Sequence, residues 1–163
     1  MNEAHRIAYI YSLLIFFKSS IHYIHLVYYV QIFVSVYKID SISFGIVQCI
    51  FLLWNTLNDP LFGWLNDRYV LSLIHRLRYL RISTTFFFFS SLLFWFPWTI
   101  GDISLLPLQL LISLCLYDTF LTVLDLNYNA LLIDFPDSER ERLSSASAVG
   151  HAFGSINRKL RCS

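Results

Sequence analysis

Four ionisable side chains lie inside long apolar stretches of the sequence: Lys18, Asp59, Asp118 and Asp125. At the centre of a membrane-spanning helix one such charge costs about 2.5–3.5 kcal/mol, so the four together cost on the order of 10 kcal/mol. Side chains with that cost face one another or a water-filled cavity rather than lipid. Their chemistry is that of ion binding, polar-solute binding or hydrogen bonding between helices.

Further polar residues share helical faces with these four charges. Residues spaced three, four, seven or eleven positions apart project from one side of a helix. Three stretches have this spacing: Lys18, His22 and His25; Gln48, Asn55 and Asp59, with Asn58 beside them; and Asp118, Thr122, Asp125 and Asn129. We predict that the three polar stripes converge and line a path for a solute.

Each stripe also has a structural interpretation. The first could be a hydrogen-bonded cluster between helices, and Asp59 could bond to backbone groups freed by Pro60. Asp118 could pair with Lys18. Both kinds of interpretation stay open at the level of sequence.

The elements that must position these groups are long apolar helices. Of the 163 residues, 56% are hydrophobic and 14% are charged, whereas soluble domains average roughly 25% charged residues. A helix needs about 20 apolar residues to cross a bilayer, and the stretches of that length are residues 7–37, 42–65, 82–101 and 103–133. A fifth helix is predicted to start at residue 143. The sequence therefore predicts an all-α membrane protein in the lipid bilayer and excludes a disordered chain, a disulfide scaffold and a nucleic-acid-binding module.

The distribution of basic residues predicts the orientation of the helices. With a cytoplasmic N-terminus, the outer loops carry only Lys38, and the inner side carries seven arginines: Arg6, Arg68, Arg76, Arg78, Arg81, Arg140 and Arg142. Short cytoplasmic loops are enriched in Lys and Arg. We predict a multi-pass protein, in the plasma membrane, with its N-terminus in the cytoplasm.

The second apolar stretch and its exit carry a recognisable motif. Residues 55–68 read NTLNDPLFGWLNDR, which resembles the N-D-P-x-x-G-x-x-x-D-R signature of the sodium/melibiose-type sugar:cation symporters of the major facilitator superfamily. Gly63, Asp67 and Arg68 match the superfamily's motif between helices two and three, so the resemblance implies a conformational role for them. Residues 125–131 (DLNYNAL) and 138–142 (SERER) resemble the family's helix-four motif and the run before helix five. The implied fold is the N-terminal part of that superfamily's fold, with four transmembrane helices and the start of a fifth.

The resemblance also implies a cation site between helices two and four. Asn58, Asp59 and Thr122 match it, whereas Asn55 stands where the family has a second carboxylate. A hard cation prefers anionic oxygen ligands, so the loss of this carboxylate weakens Na⁺ binding. The implied coupling ion is either Na⁺ or a proton carried by Asp59. The absence of coupling is a third alternative.

A solute site is implied in the same way. Lys18 and Asp125 match sugar-binding residues of the family, and His22 lies on the same stripe as Lys18. Asn129 stands where the family has a tryptophan, and Ser19 where it has an aspartate. The implied ligand is a small polar, sugar-like solute.

The predicted function follows from these matches. We expect a fragment or truncated form of a cation-coupled symporter, which needs a missing C-terminal half or another subunit for alternating access. The alternative is a non-transporting membrane protein with a transporter's fold and a role in assembly, regulation or recognition. No nucleophile–base pair or metal-ligand spacing occurs in the sequence, so we expect neither an enzyme nor a cofactor.

Overall fold

The computed structural model describes residues 3–69, 73–98, 103–134, 140–141, 144–145 and 148. Within these residues the chain is helical and has no strand. The helices are α1 (Glu3–Gln31), α2 (Ser41–Tyr69), α3 (Leu73–Leu92) and α4 (Leu106–Asp134). A π-helical turn, Ile32–Val36, continues α1, and a 3-10 turn, Ile103–Leu105, leads into α4. The all-α prediction is confirmed, whereas the fifth helix predicted from residue 143 lies mostly outside the described residues.

Among the described residues, three helices are long and apolar enough to cross a membrane: Tyr9–Val36, Ser41–Tyr69 and Leu106–Ile133. A helix of 29 residues such as α2 is about 44 Å long, so it exceeds a hydrocarbon core of about 30 Å. One face of α2 consists of exposed apolar side chains at helical spacing: Ile42, Ile46, Ile50, Leu53, Leu57, Leu61 and Trp64. A continuous apolar face of this length is the surface that a membrane helix presents to lipid.

The chain forms two compact units, one from residues 1–27 and 132–163 and the other from residues 28–131. In the described part of the first unit, Arg140 closes the end of α4. Its guanidinium donates hydrogen bonds to the carbonyl oxygens of Leu132 (3.2 Å) and Ile133 (2.9 Å). A basic side chain at this position satisfies carbonyls that have no partner within the helix.

In the second unit, a tight turn separates the π-helical turn from α2. Lys38 has a left-handed φ of 55°, the conformation that commonly ends a helix. The side chain of Asp40 accepts hydrogen bonds from the backbone N–H groups of Ile42 (3.1 Å) and Ser43 (3.2 Å). Asp40 is therefore the N-cap of α2.

The third helix differs from its prediction. We expected it over residues 82–101, but α3 begins at Leu73, between the second and third predicted stretches, and ends at Leu92. The early end of α3 is explained by Gln109 of α4, which is only 2% exposed. Its amide donates to the carbonyls of Leu93 (3.2 Å) and Phe96 (2.8 Å) and accepts from the N–H of Trp98 (3.1 Å). Because one side chain satisfies these backbone groups, the apolar chain after Leu92 does not need to be helical.

Aromatic side chains pack the π-helical turn, the end of α3 and α4 together. Phe94 is completely buried, and its ring lies edge-on to Phe33 at 6.3 Å and to Tyr117 at 6.0 Å. Tyr117 also packs on Phe87 at 5.1 Å. Ring pairs with this geometry stabilise a core beyond their buried area, so this packing fixes α4 beside α3.

Replacing Gln109 with methionine is expected to destabilise the folded chain by at least about 3 kcal/mol. Methionine has nearly the same volume, but it leaves three backbone groups without a partner, and each buried group left unpaired costs about 1–3 kcal/mol. Denaturant unfolding in detergent, followed by far-UV circular dichroism, measures the change. Gln31→Met, at an exposed position of α1, is the matched control. Equal stabilities of the two variants would contradict the role of Gln109.

Candidate functional site

A buried asparagine joins α2 to α4. Asn58 has no exposed surface, and its Nδ2 donates to Oδ2 of Asp118 at 2.9 Å and to Oγ1 of Thr122 at 3.0 Å. Thr122 in turn donates from Oγ1 to Oδ1 of Asp59 at 2.9 Å. We call Asn58, Asp59, Asp118, Thr119 and Thr122 the α2–α4 polar cluster. It connects two carboxylates on different helices through one amide and one hydroxyl.

The amide oxygen of Asn58 faces the hydroxyl of Thr119, which already donates its hydrogen bond to another acceptor. Oγ1 of Thr119 lies 2.7 Å from the carbonyl oxygen of Cys115 and 3.4 Å from Oδ1 of Asn58. A hydroxyl has one proton to donate, and the shorter distance assigns it to Cys115. The cluster therefore has spare acceptor capacity on oxygens of carboxylate, amide and hydroxyl groups, the ligand types that hard cations prefer.

Helix α2 passes through Pro60 without ending, and this continuity sets the cluster's geometry. Asn55 and Asp59 are one turn apart and both exposed, while Asn58 between them points into the bundle. A carboxylate exposed on a membrane helix is too costly to face lipid. This face of α2 must therefore be covered by water or by further protein.

The residues predicted to bind solute fall in different parts of the chain. Lys18 and His22 are half-buried on α1 and belong to the unit formed by residues 1–27 and 132–163. Asp125 is half-buried and Asn129 is exposed, and both lie on α4 within the unit 28–131. Asp125 follows Thr122 by three residues and so extends the polar face of α4. The solute-binding role of all four stays a prediction.

The motif of Gly63, Asp67 and Arg68 is helical, because α2 continues to Tyr69 rather than ending near residue 65 as expected. The guanidinium carbon of Arg68 lies 5.3 Å from the centre of the Trp64 ring, a cation–π contact. A Cβ atom added to Gly63 would meet nothing within 4 Å. Packing in this conformation therefore does not require glycine at this position.

Sequence reasoning did not include Asp118 and Thr119 in the cation site. Asp118 was considered as a partner of Lys18, whereas the structure bonds it to Asn58. The available signal was its place four residues before Thr122 on one helical face. Thr119 lies three residues before Thr122, so the same spacing rule places it beside that face, but it was not considered as a site residue. Among the described residues, no three His, Cys, Asp or Glu side chains come together as a metal site.

Comparison with known proteins gives one family and two similar relatives. Residues 7–158 match the family described as MFS/sugar transport protein. The chain is 46% identical to transmembrane protein 180 of Gallus gallus over 150 residues, which cover 84% of this chain and 28% of that protein. It is 43% identical to transmembrane protein 180 of Mus musculus over 167 aligned positions, which cover 93% of this chain and 31% of the mouse protein. No solved structure shows significant similarity to the chain.

Proposed function

Because the chain belongs to the MFS/sugar transport protein family, we propose that it is the N-terminal part of a cation-coupled symporter for a small polar, sugar-like solute. The membrane-spanning helices and the family make it an integral membrane protein. Transporters of this superfamily bind substrate near the middle of the bilayer and expose the site to each side alternately. We place this symporter in the plasma membrane with its N-terminus in the cytoplasm, as the arginine distribution predicts.

The observation that carries this proposal is the α2–α4 polar cluster. Two carboxylates, the exposed Asp59 and the half-buried Asp118, are held by Asn58 and Thr122 between the apolar helices α2 and α4. A purely structural bond between helices needs one donor and one acceptor, whereas this cluster holds two acidic groups and no basic group among its five members. Na⁺ bound between these oxygens would neutralise part of the negative charge that makes the cluster expensive. We therefore favour Na⁺ over H⁺ as the coupling ion.

The second carboxylate of the cluster lies on a different helix from the one implied by the family resemblance. The family carries it at the position of Asn55 on α2, and here Asp118 on α4 lies within hydrogen-bonding distance of the same Asn58. In the proposed mechanism, the cation joins α2 to α4, and Asp125 with Asn129 extends the same face of α4 toward the solute. Lys18 and His22 on α1 are the other side chains that we propose to bind the solute.

The chain spans about 30% of the length of the curated relatives that it matches, 28% of one and 31% of the other. Alternating access requires two helical bundles that rock around a central site. We propose that further helices, from the same longer protein or from another subunit, cover the exposed side of Asp59 and complete the path.

One observation favours a second candidate function. Ser19 and Asn55 lack the carboxylates that the family resemblance expects at their positions, and both losses weaken a sugar:cation site. A transporter-like protein that acts in assembly, regulation or recognition would tolerate these losses.

Gradient-driven uptake tests the proposal. The full-length protein that carries these residues is placed in vesicles, and accumulation of a labelled monosaccharide and a labelled disaccharide is measured under an imposed Na⁺ or H⁺ gradient. We expect Asp59→Asn and Asp125→Asn to abolish accumulation. Asp40→Asn is the matched control, because asparagine caps a helix as well as aspartate does.

Two results would contradict the symporter. Accumulation by Asp59→Asn and Asp125→Asn equal to that of the wild type would exclude the proposed cation and solute sites. A wild-type protein that inserts normally but accumulates neither sugar under either gradient would favour the non-transporting alternative.

A further inference from the structure

A cavity lies between the last turns of α2, the beginning of α3 and the middle of α4. Its volume is about 210 Å³, and its wall is formed mainly by Phe62, Leu65, Tyr69, Tyr79, Val123 and Leu126. All of these residues belong to the unit 28–131. The cavity lies toward the end of α2, beyond the α2–α4 polar cluster, and none of its apolar wall residues takes part in the proposed transport function.

The size and chemistry of the cavity limit what it holds. Pockets that enclose a whole small molecule measure roughly 300–1,000 Å³, so a space of about 210 Å³ fits only part of a larger molecule. The wall is dominated by aromatic and aliphatic side chains, which favour a hydrocarbon segment over a sugar. Tyr69 and Tyr79 line the cavity and are also 59% and 43% exposed, so the cavity is reached from the surface of the α2–α3 pair.

Basic side chains lie near the opening of the cavity. Arg68 directly precedes Tyr69, Arg78 directly precedes Tyr79, and Arg76 lies one turn before Tyr79 on the same face of α3. Arg68 and Arg78 are exposed and Arg76 is half-buried. Within residues 62–69 and 75–81 the only acidic side chain is Asp67, so this end of the helix pair is basic.

We propose that this cavity binds the acyl chain of an anionic phospholipid, whose headgroup lies against Arg76, while Arg78 adds positive charge at the same end of α3. The apolar cavity is too small for a whole ligand but accommodates part of an acyl chain, and the basic surface beside its opening attracts an anionic headgroup. Basic pockets between transmembrane helices on the cytoplasmic side are a recognised form of lipid-headgroup site. Arg68, Arg76 and Arg78 are also among the arginines that predict a cytoplasmic location for this end of α2.

The two polar residues in the wall do not point to a different occupant. Asn127 is 1% exposed and its Nδ2 donates to the carbonyl of Val123 at 2.8 Å. Its Oδ1 has no donor among the described residues but is fully buried, so a molecule in the cavity does not reach it. Asn66 is half-buried in the last turns of α2.

Native mass spectrometry of the 163-residue chain in detergent tests the proposal. The delipidated chain is exposed to equal amounts of dioleoyl phosphatidylglycerol and dioleoyl phosphatidylcholine, and the retained lipids are counted. We expect one phosphatidylglycerol to be retained in preference to phosphatidylcholine. Arg76→Gln and Arg78→Gln should each reduce this preference about fivefold, since a basic residue near an anionic lipid surface contributes about 1 kcal/mol. Lys38→Gln, which removes a charge at the other end of α2, should leave the preference unchanged.

The apolar half of the proposal is tested by filling the cavity. Val123→Phe combined with Leu126→Phe should lose the retained phosphatidylglycerol while keeping wild-type helicity. If that variant does not fold, Leu65→Trp fills the cavity from α2, and the same loss is expected.

Three results would overturn the proposal. The first is equal retention of the two lipids by the wild type. The second is wild-type retention of phosphatidylglycerol by a folded, cavity-filled variant. The third is displacement of the lipid by soluble glycerol 3-phosphate, which would show that the site recognises a phosphate rather than a phospholipid. None of these measurements depends on transport, so they leave the symporter proposal to its own test.

Discussion

Asp118→Asn is expected to weaken Na⁺ binding by the chain at least tenfold, equivalent to about 1.4 kcal/mol. The substitution keeps the size of the side chain and removes one of the two carboxylates of the α2–α4 polar cluster. Asp118 is held 2.9 Å from Nδ2 of Asn58, so its charge is fixed within the cluster. A hard cation loses affinity when the anionic ligands around it are fewer. Asp59→Asn should have at least the same effect, because it removes the other carboxylate.

Isothermal titration of the purified chain with NaCl measures this affinity, with choline chloride holding the ionic strength constant. The decisive variant is Asn55→Asp combined with Asp118→Asn, which moves the second carboxylate from α4 to α2. Asn55 and Asn58 lie one turn apart on α2, so the moved charge should restore binding. Asp40→Asn controls for the loss of a carboxylate outside the cluster.

The Na⁺ affinities of the two single variants show whether the cluster binds Na⁺ and whether Asp118 belongs to the site. Loss of binding in Asp59→Asn with unchanged binding in Asp118→Asn would remove Asp118 from the site and leave the rest of the proposal intact. Unchanged binding in both variants would exclude the cluster as a Na⁺ site.

Asn58→Leu is expected to destabilise the folded chain by about 2–4 kcal/mol. Leucine has a similar size and shape but donates no hydrogen bond, so Asp118 and Thr122 both lose a donor. A hydrogen bond to a charged group contributes about 1.5–3 kcal/mol, and a buried acceptor left without a partner costs more than the bond itself contributed. The complete burial of Asn58 prevents water from replacing the lost donor.

Denaturant unfolding in detergent, followed by circular dichroism, measures this effect. Asn55→Leu is the matched control on the same helix: its side chain is exposed, and we expect a change within about 0.5 kcal/mol. The double variant Asn58→Leu with Asp118→Leu should be more stable than Asn58→Leu alone, because no carboxylate is then left unpaired. A double variant less stable than the single one would show that Asn58 acts through packing alone.

The long helices were predictable because apolar length is a direct consequence of the bilayer. The stretches 7–37 and 103–133 predicted from the sequence overlap α1 with its π-helical turn and α4 almost completely. The third helix was not predictable in the same way. Hydropathy detects apolar side chains but does not detect backbone groups whose hydrogen bonds come from a distant side chain. Here that side chain is Gln109, which lies seventeen residues beyond the end of α3.

The polar cluster shows a similar division. The spacing on α2 and α4 placed Asn58, Asp59 and Thr122 on helical faces, and the family resemblance placed those faces together. The hydrogen bonds among these three residues are present in the structure, while their role in binding a cation stays a prediction. The contact of Asp118 with Asn58 depends on the relative rotation of two helices, which spacing along one helix does not determine.

The side chain of Gln109 has a consequence for the order of events during synthesis. It belongs to α4, but the backbone groups that it satisfies follow α3, at residues 93, 96 and 98. Backbone groups outside a helix need a partner from elsewhere in the protein or from water when they are buried. The segment after α3 therefore reaches its final path only when the next helix, which leaves the ribosome later, lies beside it.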